Sequence, residues 1–408
     1  MSTREAPWTA RAPRTLMVAQ SGGATAVINA SLVGVVEGAL AAGFTRILGL
    51  RRGIEGLWTE ERVPLHDLTA TTRTTLRRTP SAALGTGRYK LRDGDLDRAL
   101  AAFRLDGVSA FAYIGGNDSA DTAHRLDAAV RAAGHDLAVV SVPKTIDNDL
   151  PETDHCPGYG SIARFVAHAV RDATYDTVAS PQLYPVKVIE VMGRDAGWVA
   201  AAADLGFGPD EDDLRPLIYL PERAPASADA IVAEVTARVA ERGWAVAIVP
   251  ETMRDAAGQH LSGAEPDHID RFGHRYYPSN GLTLTRQVRE RTGLRARDEK
   301  PGTFARMAMA LVSETDLDEA YRVGHEAARR AAAGERDLMT TLVREPGEPD
   351  APYRSTVGTA PLAAIANRVR PLDEAFIGAD GRSTAGAFRA YALPLLGPAP
   401  FPPYARLV

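Results

Sequence analysis

Thr15-Leu16-Met17-Val18-Ala19 is an apolar run that stops at Ser21-Gly22-Gly23 and gives way to an amphipathic stretch over about 24–42, closed by Gly43. A short apolar run ending in a glycine turn reads as a buried strand, and the longer 3.6-period stretch after it as a helix. The unit recurs. Apolar runs at 46–50, 110–114, 136–142, 186–191, 217–220 and 245–249 are separated by helical periodicity. Short strands alternating with helices imply βαβ units and mostly parallel sheets. In such sheets ligands gather at the carboxyl ends of the strands. Several runs here end in Gly-, Asp- or Glu-bearing turns, which is where chemistry is expected.

Outside these units the chain of 408 residues gives further bounds. Its length implies two to three domains. Apolar residues at 45% and charged residues at 24% describe a globular protein and exclude a disordered, collagenous or coiled-coil chain. A net charge of −5 gives no basic character for nucleic acid or an anionic membrane. No apolar run is long enough to span a bilayer. One cysteine, Cys156, excludes an internal disulfide and favours the cytoplasm. Residues 1–14 lack an apolar signal core and read as a flexible lead. The stretch 255–280 reads as a long functional loop, 345–352 as a linker, and the Pro-rich 394–403 as a peripheral tail. Only Lys90, Lys144, Lys187 and Lys300 are lysine among 47 cationic residues. Codon bias explains the excess of arginine, but a retained lysine also marks a place for a compact ammonium.

Six groupings can carry chemistry. Ser21-Gly22-Gly23-Ala24-Thr25 lets backbone N–H groups approach an anion at a helix start, though a plain tight turn explains it equally well. It matches neither the dinucleotide fingerprint nor a Walker loop, which argues against a dehydrogenase. Gly115-Gly116-Asn117-Asp118-Ser119 repeats that turn with a carboxylate added; its alternative is helix capping. An aspartate there repels phosphate unless Mg²⁺ or a lysine intervenes. Pro143-Lys144-Thr145-Ile146-Asp147-Asn148-Asp149 sets two carboxylates beside a rare lysine: a base, a metal ligand and a point charge for phosphoryl oxygens. Glu190-Val191-Met192-Gly193-Arg194 offers an arginine at a strand end, and Leu220-Pro221-Glu222 a carboxylate for sugar hydroxyls. Arg295-Ala296-Arg297 with Thr303-Phe304-Ala305-Arg306 offers arginines for a sugar phosphate, or else a solvated basic face. Together they describe phosphoryl transfer.

In this order the motifs resemble the phosphofructokinase family, from about Leu16 to Arg306 and more loosely to Asn367. Thr145-Ile146-Asp147-Asn148-Asp149 and Met192-Gly193-Arg194 are its most specific marks. The resemblance implies two three-layer α/β/α domains with the active site in the cleft between them. Both would be discontinuous: 1–158 plus about 305–350 for the donor and Mg²⁺, and 159–304 plus about 351–408 for the sugar phosphate. It implies that Asp147 is the base for the 1-hydroxyl of fructose 6-phosphate. Thr145, Ile146, Met192, Gly193, Arg194, Glu222, Thr303 and Arg306 would contact the sugar phosphate. Arg297 would come from a neighbouring subunit of a homo-oligomer, dimer or tetramer. Gly22, Gly23 and Gly116 would hold the donor, and Asn117 and Asp149 the metal. Asp118 and Lys144 resemble the pyrophosphate-dependent branch, whose reaction is reversible. ATP-using members usually carry glycine at both positions. Asn117 departs from the usual metal-binding aspartate. Thr303 departs from the usual His or Tyr, which leaves sedoheptulose 7-phosphate as a second acceptor. The competing readings are an ATP-dependent phosphofructokinase and a silent sugar-phosphate sensor; intact Asp147 and Arg194 argue against the sensor.

Overall fold

The computed structural model describes residues 14–59, 61–269, 275–347, 352–398 and 401–406. Thirteen strands among these residues are β1 Thr15–Gln20, β2 Arg46–Leu50, β3 Arg62–Pro64, β4 Val108–Gly115, β5 Ala138–Pro143, β6 Val186–Val191, β7 Leu217–Ile218, β8 Ala245–Pro250, β9 His268–Ile269, β10 Arg275–Tyr276, β11 Ala296–Glu299, β12 Leu338–Arg344 and β13 Ser355–Pro361. The helices are α1 Ile28–Ala41, α2 Ala70–Arg77, α3 Leu96–Leu105, α4 Asn117–Ala132, α5 Tyr159–Ala179, α6 Trp198–Ala201, α7 Ala228–Arg242, α8 Asn280–Thr292, α9 Thr303–Met307, α10 Glu314–Ala332 and α11 Gly386–Ala392.

A seven-stranded sheet has the order β13-β12-β5-β4-β1-β2-β3. Its five inner strands are parallel, and the edge strands β13 and β3 run antiparallel to their neighbours. Alternate residues feed two apolar layers. Met17, Phe111, Tyr113 and Val139 face one side, and Leu16, Val18, Ala112 and Val140 the other. That is the period-2 rule acting on strands covered on both faces. A second, four-stranded parallel sheet has the order β11-β6-β8-β7. Ile189, Val191, Val246 and Ile248 pack toward α5, while Val186, Val188, Ala245 and Ala247 pack toward α7 and α8. Each sheet is thus the middle of a three-layer α/β/α sandwich.

The first sheet carries α1 beneath α10, and glycine sets how closely they approach. A Cβ on Gly34 would fall 2.1 Å from the Tyr321 carbonyl oxygen, and one on Gly324 2.1 Å from that of Ser31. Burial of α1 on nearly every side follows from this double cover.

Two expectations are corrected near the carboxyl end. The stretch 345–352 is not an interdomain linker. It joins β12 to β13, with Glu345 N–H bonded to the Arg354 carbonyl at 3.0 Å; residues 348–351 lie outside the described residues. β13 returns to the first sheet before Leu372, Ile377 and Phe388 join the core of the second. A strand of Ser-Thr-Val-Gly-Thr-Ala-Pro carries too weak a pattern to be seen locally. Nor are the described residues of 394–403 peripheral; 399 and 400 lie outside them. Leu395 and Leu396 are buried, Ser313 Oγ donates to the Leu395 carbonyl at 2.6 Å, and Arg171 Nη1 donates to that of Pro402 at 2.7 Å. The lead, residues 1–13, lies outside the described residues. Part of the expected loop at 255–280 pairs as the β9–β10 hairpin; residues 270–274 also lie outside. No described helix is long and apolar enough to cross a membrane.

Candidate active site

A cavity of about 660 Å³ opens where the carboxyl ends of the two sheets face each other. β1 delivers the first glycine turn, which is tied down by bonds from Ser21 N–H to the Ile114 carbonyl and from Gly22 N–H to that of Gly87. Gly22 sits at φ +75°, and a Cβ there would stand 3.1 Å from Lys144 Nζ. A Cβ on Gly23 would stand 2.8 Å from Arg306 Nη1. The two glycines therefore make room for two cations.

β4 delivers the second turn. Gly116 precedes α4, and Asn117 and Asp118 open that helix. Asp118 is largely exposed and lies 3.7 Å from Lys90 Nζ, a neighbour the sequence did not connect to it. Asn117 donates from Nδ2 to Asp149 Oδ2 at 3.2 Å, and its Oδ1 is buried without a partner. An orphaned amide oxygen beside a carboxylate is a pair of hard oxygen donors, and this fits Mg²⁺. The described residues contain no group of three His, Cys, Asp or Glu able to hold a metal, so further ligands would come from substrate and water.

β5 ends at Lys144, whose side chain is 4% exposed and donates from Nζ to the Gly23 carbonyl at 2.9 Å. Burial pulls this ammonium down to about 8, against the opposing pull of Asp147. Burial, with Asp149 beside it, raises Asp147 to about 7; Arg194 and Lys144 act the other way. Asp149 is raised by burial as well. The turn bearing these carboxylates is over-determined. Thr145 Oγ1 accepts from Asp147 N–H, Arg370 donates to the Asn148 carbonyl, and Asn148 Oδ1 accepts from Cys156 N–H. Asn148 itself sits at φ 54°. Cys156, buried with its thiol pushed up to about 12, is a packing residue.

From the second sheet, β6 brings Met192 and Arg194 to the cavity wall, and Ile146, Thr303 and Arg306 also line it. Three expected contacts are not brought there. Gly193 turns the chain at φ +111° without lining the cavity. Glu222 lies outside the cavity lining; its Oε1 accepts the N–H groups of Gly197 at 2.9 Å and Leu372 at 2.7 Å. Arg297 is exposed on β11 with its guanidinium 3.7 Å from the Tyr184 ring centre, away from this chain's own cleft.

The carboxylate that does line the cavity from the second sheet is Glu251, directly after β8. Burial and Glu190 raise it, while Lys300, Arg194 and Arg306 oppose. Its signal was the one used elsewhere, an acidic residue closing an apolar run. Lys300, Arg88 and Tyr276 are further wall residues that sequence reasoning missed. Arg88 Nη1 donates to Tyr276 Oη at 3.0 Å, joining the two sides of the cleft. Lys90, Lys144 and Lys300 all line the cavity, so three of the four lysines report it; Lys187 instead is buried against Asp176.

A phosphofructokinase model matches residues 15–329. This chain belongs to the phosphofructokinase family. It is 39% identical over 94% of its length to a pyrophosphate–fructose 6-phosphate 1-phosphotransferase of Xanthomonas campestris, covering 92% of that relative. A relative of the same name in Methylococcus capsulatus is 36% identical, with 97% of this chain and 94% of the relative covered. Among solved structures, a pyrophosphate-dependent phosphofructokinase of Nitrosospira multiformis superposes with a TM-score of 0.84 at 33% identity, over 97% of this chain and 95% of that one.

Proposed function

We propose that this phosphofructokinase transfers a phosphoryl group from pyrophosphate to the 1-hydroxyl of fructose 6-phosphate, reversibly, giving fructose 1,6-bisphosphate and phosphate. The observation that carries the donor choice is Lys144, buried with its ammonium against Gly23 where the donor turn lies. A point charge there meets the transferred phosphoryl oxygens. Asp118, at the start of α4, sets a negative charge in the path of a nucleotide's longer phosphate chain and disfavours ATP.

Asp147 is the base. Its carboxyl near 7 suits removal of the hydroxyl proton at neutral pH as the oxygen attacks. The proton moves to Asp147, the acceptor oxygen bonds to phosphorus, and the bond to the leaving phosphate breaks. Arg194 and Arg306 neutralise charge near the reacting centre. Thr145, Ile146, Met192 and Thr303 shape the acceptor wall, and Glu251 takes the hydroxyl-binding part first expected of Glu222. Asp149 and the Asn117 amide oxygen would hold Mg²⁺, which when bound neutralises pyrophosphate oxygens. A homo-oligomer, dimer or tetramer, would carry the exposed Arg297 to a neighbouring cleft. The single buried cysteine is in keeping with a cytoplasmic setting.

The test is an initial-rate comparison of pyrophosphate and ATP with fructose 6-phosphate under saturating Mg²⁺. Turnover with pyrophosphate exceeding that with ATP is expected. ATP preference overturns the donor reading, and absence of turnover with either favours a sensor.

A further inference from the structure

Arg370-Pro371-Leu372 lies beyond residues 15–329, where the phosphofructokinase model matches, in a stretch with neither helix nor strand. Such a stretch must find partners for its backbone groups elsewhere. It enters from the cavity rim, where Asn367 Nδ2 donates to Asp121 Oδ1 on α4 at 2.8 Å. Arg370 then meets the turn that carries the paired carboxylates. Its backbone N–H donates to the Asp149 carbonyl at 2.7 Å, and Nη2 to that of Asn148 at 2.8 Å. Nη1 donates to the carbonyls of Thr153 at 2.6 Å and Asp154 at 2.7 Å. One residue thus satisfies four carbonyls of the segment 148–154. That segment needs holding. Asn148 is buried at φ 54°, a left-handed conformation that a non-glycine residue keeps only under constraint.

The same residue reaches the second sheet. Its guanidinium lies 4.8 Å from the Trp198 ring centre, and its carbonyl accepts from Trp198 Nε1 at 3.2 Å. Trp198 begins α6, four residues after Arg194. The Leu372 N–H donates at 2.7 Å to Glu222 Oε1, the oxygen that also takes the Gly197 N–H at 2.9 Å. Leu372 itself is buried in the core of the second sheet. Three residues therefore bind the Asp147–Asp149 turn on one side and the Arg194–Trp198 loop on the other. We propose that Arg370 is a positioning residue for phosphoryl transfer, and that segment 370–372 sets Asp147 against Arg194 by strapping their two loops together. This rests on the reading of Asp147 and Arg194 given above. Arg370 does not line the cavity, so it acts through the turn. A planar fork of N–H donors suits an array of carbonyls on one turn, which an ammonium cannot match. Filling space beside Trp198 would need only an apolar side chain, and that would leave the carbonyls of Asn148, Thr153 and Asp154 without this donor.

The test measures kcat, KM and fructose 6-phosphate binding by calorimetry in wild type, Arg370→Met, Arg370→Lys, Glu222→Gln and Phe103→Leu. It uses whichever donor wild type turns over, at a temperature where every variant is folded. Misplacing a reacting group by about 1 Å costs about 10²-fold, so Arg370→Met should lose about 10- to 100-fold in kcat. Its Kd for fructose 6-phosphate, shared among several wall residues, should move less than about threefold. Arg370→Lys keeps the charge without the fork and should recover only part of the rate. Glu222→Gln should lower kcat less and, added to Arg370→Met, add little, because both act on one strap. Phe103→Leu, in the core of the first sheet, should lower the melting temperature and keep kcat. The proposal is overturned if Arg370→Met keeps wild-type kcat, or Arg370→Lys does where the methionine variant fails to fold. It is also overturned if the loss appears in Kd and KM instead of kcat, or if Phe103→Leu loses kcat in the same proportion to its melting temperature. If Asp147→Asn loses kcat while Arg370→Met keeps it, the base stands and the strap falls. If Asp147→Asn keeps kcat while Arg370→Met loses it, the base reading falls and the strap acts on Arg194 alone. A wild type inactive with both donors overturns both.

Discussion

Replacing Lys144 by methionine separates what the residue does for folding from what it does for the reaction. The side chain is 4% exposed, and burial holds its ammonium near 8 against an ordinary value of 10.5. At neutral pH, keeping that charge buried costs about 3 kcal/mol of folding stability. The sign follows from the lowered value. Below about 8 both folded and unfolded chains carry the charge and the full penalty applies; it fades as pH rises from about 8 to 10.5. The bond from Nζ to the Gly23 carbonyl offsets about 1 kcal/mol of it. Lys144→Met, of similar length, should therefore raise the melting temperature at pH 7 by a few degrees and leave it nearly unchanged at pH 10. Against this gain stands the reaction. A unit charge about 4 Å from a phosphoryl oxygen, at an effective dielectric near 20, contributes about 4 kcal/mol. Realising even part of it in the transition state means a fall in pyrophosphate-dependent kcat of about 10²- to 10³-fold. The assay pairs differential scanning fluorimetry at both pH values with initial rates under saturating substrates and Mg²⁺. A variant that keeps its kcat, or one that melts lower at pH 7 than at pH 10 relative to wild type, refutes the argument.

Asp147→Asn should lower kcat by about 10²-fold or more with fructose 6-phosphate binding retained, since a general base is lost and the shape kept; calorimetry beside turnover checks both halves. In wild type, kcat/KM should rise as pH climbs through about 7, where the Asp147 carboxyl becomes ionised, and fall above about 8, where Lys144 loses its proton; the alkaline limb should vanish in Lys144→Met. Asp118→Gly should raise the ATP-to-pyrophosphate ratio of kcat/KM only about fivefold alone, because an exposed carboxylate at about 4 Å acts through nearly bulk water and contributes about 1 kcal/mol, with a larger shift in Asp118→Gly/Lys144→Gly; a ratio unmoved in the double variant removes both residues from donor choice. Glu251→Gln should raise KM for fructose 6-phosphate, whereas Glu222→Gln should lower the melting temperature and leave that KM alone; the reverse pattern restores Glu222 to the acceptor site.

The alternating sandwich was legible because its signals are local. Apolar runs such as 186–191 and 245–249 and the turns after β1, β4 and β5 declare strand, turn and helix within a dozen residues. The Lys144–Asp149 segment was equally legible, because so dense a mixture of charge has no packing purpose. Proximity across the chain was not. Glu222 and Glu251 both close apolar runs, and nothing local says that one ties backbone N–H groups while the other faces the cleft. Arg297 and Lys300 are three residues apart, yet Arg297 is exposed away from the cavity and Lys300 lines it. The value near 7 at Asp147 depends on burial and on Arg194 and Glu251 arriving from the second sheet beside the local Asp149 and Lys144. The role of 394–403 depends on α5 and α10 offering it a core. Periodicity and turn chemistry act between neighbours in sequence, whereas burial, electrostatic coupling and wall position are properties of the assembled fold, set by which distant segments pack together.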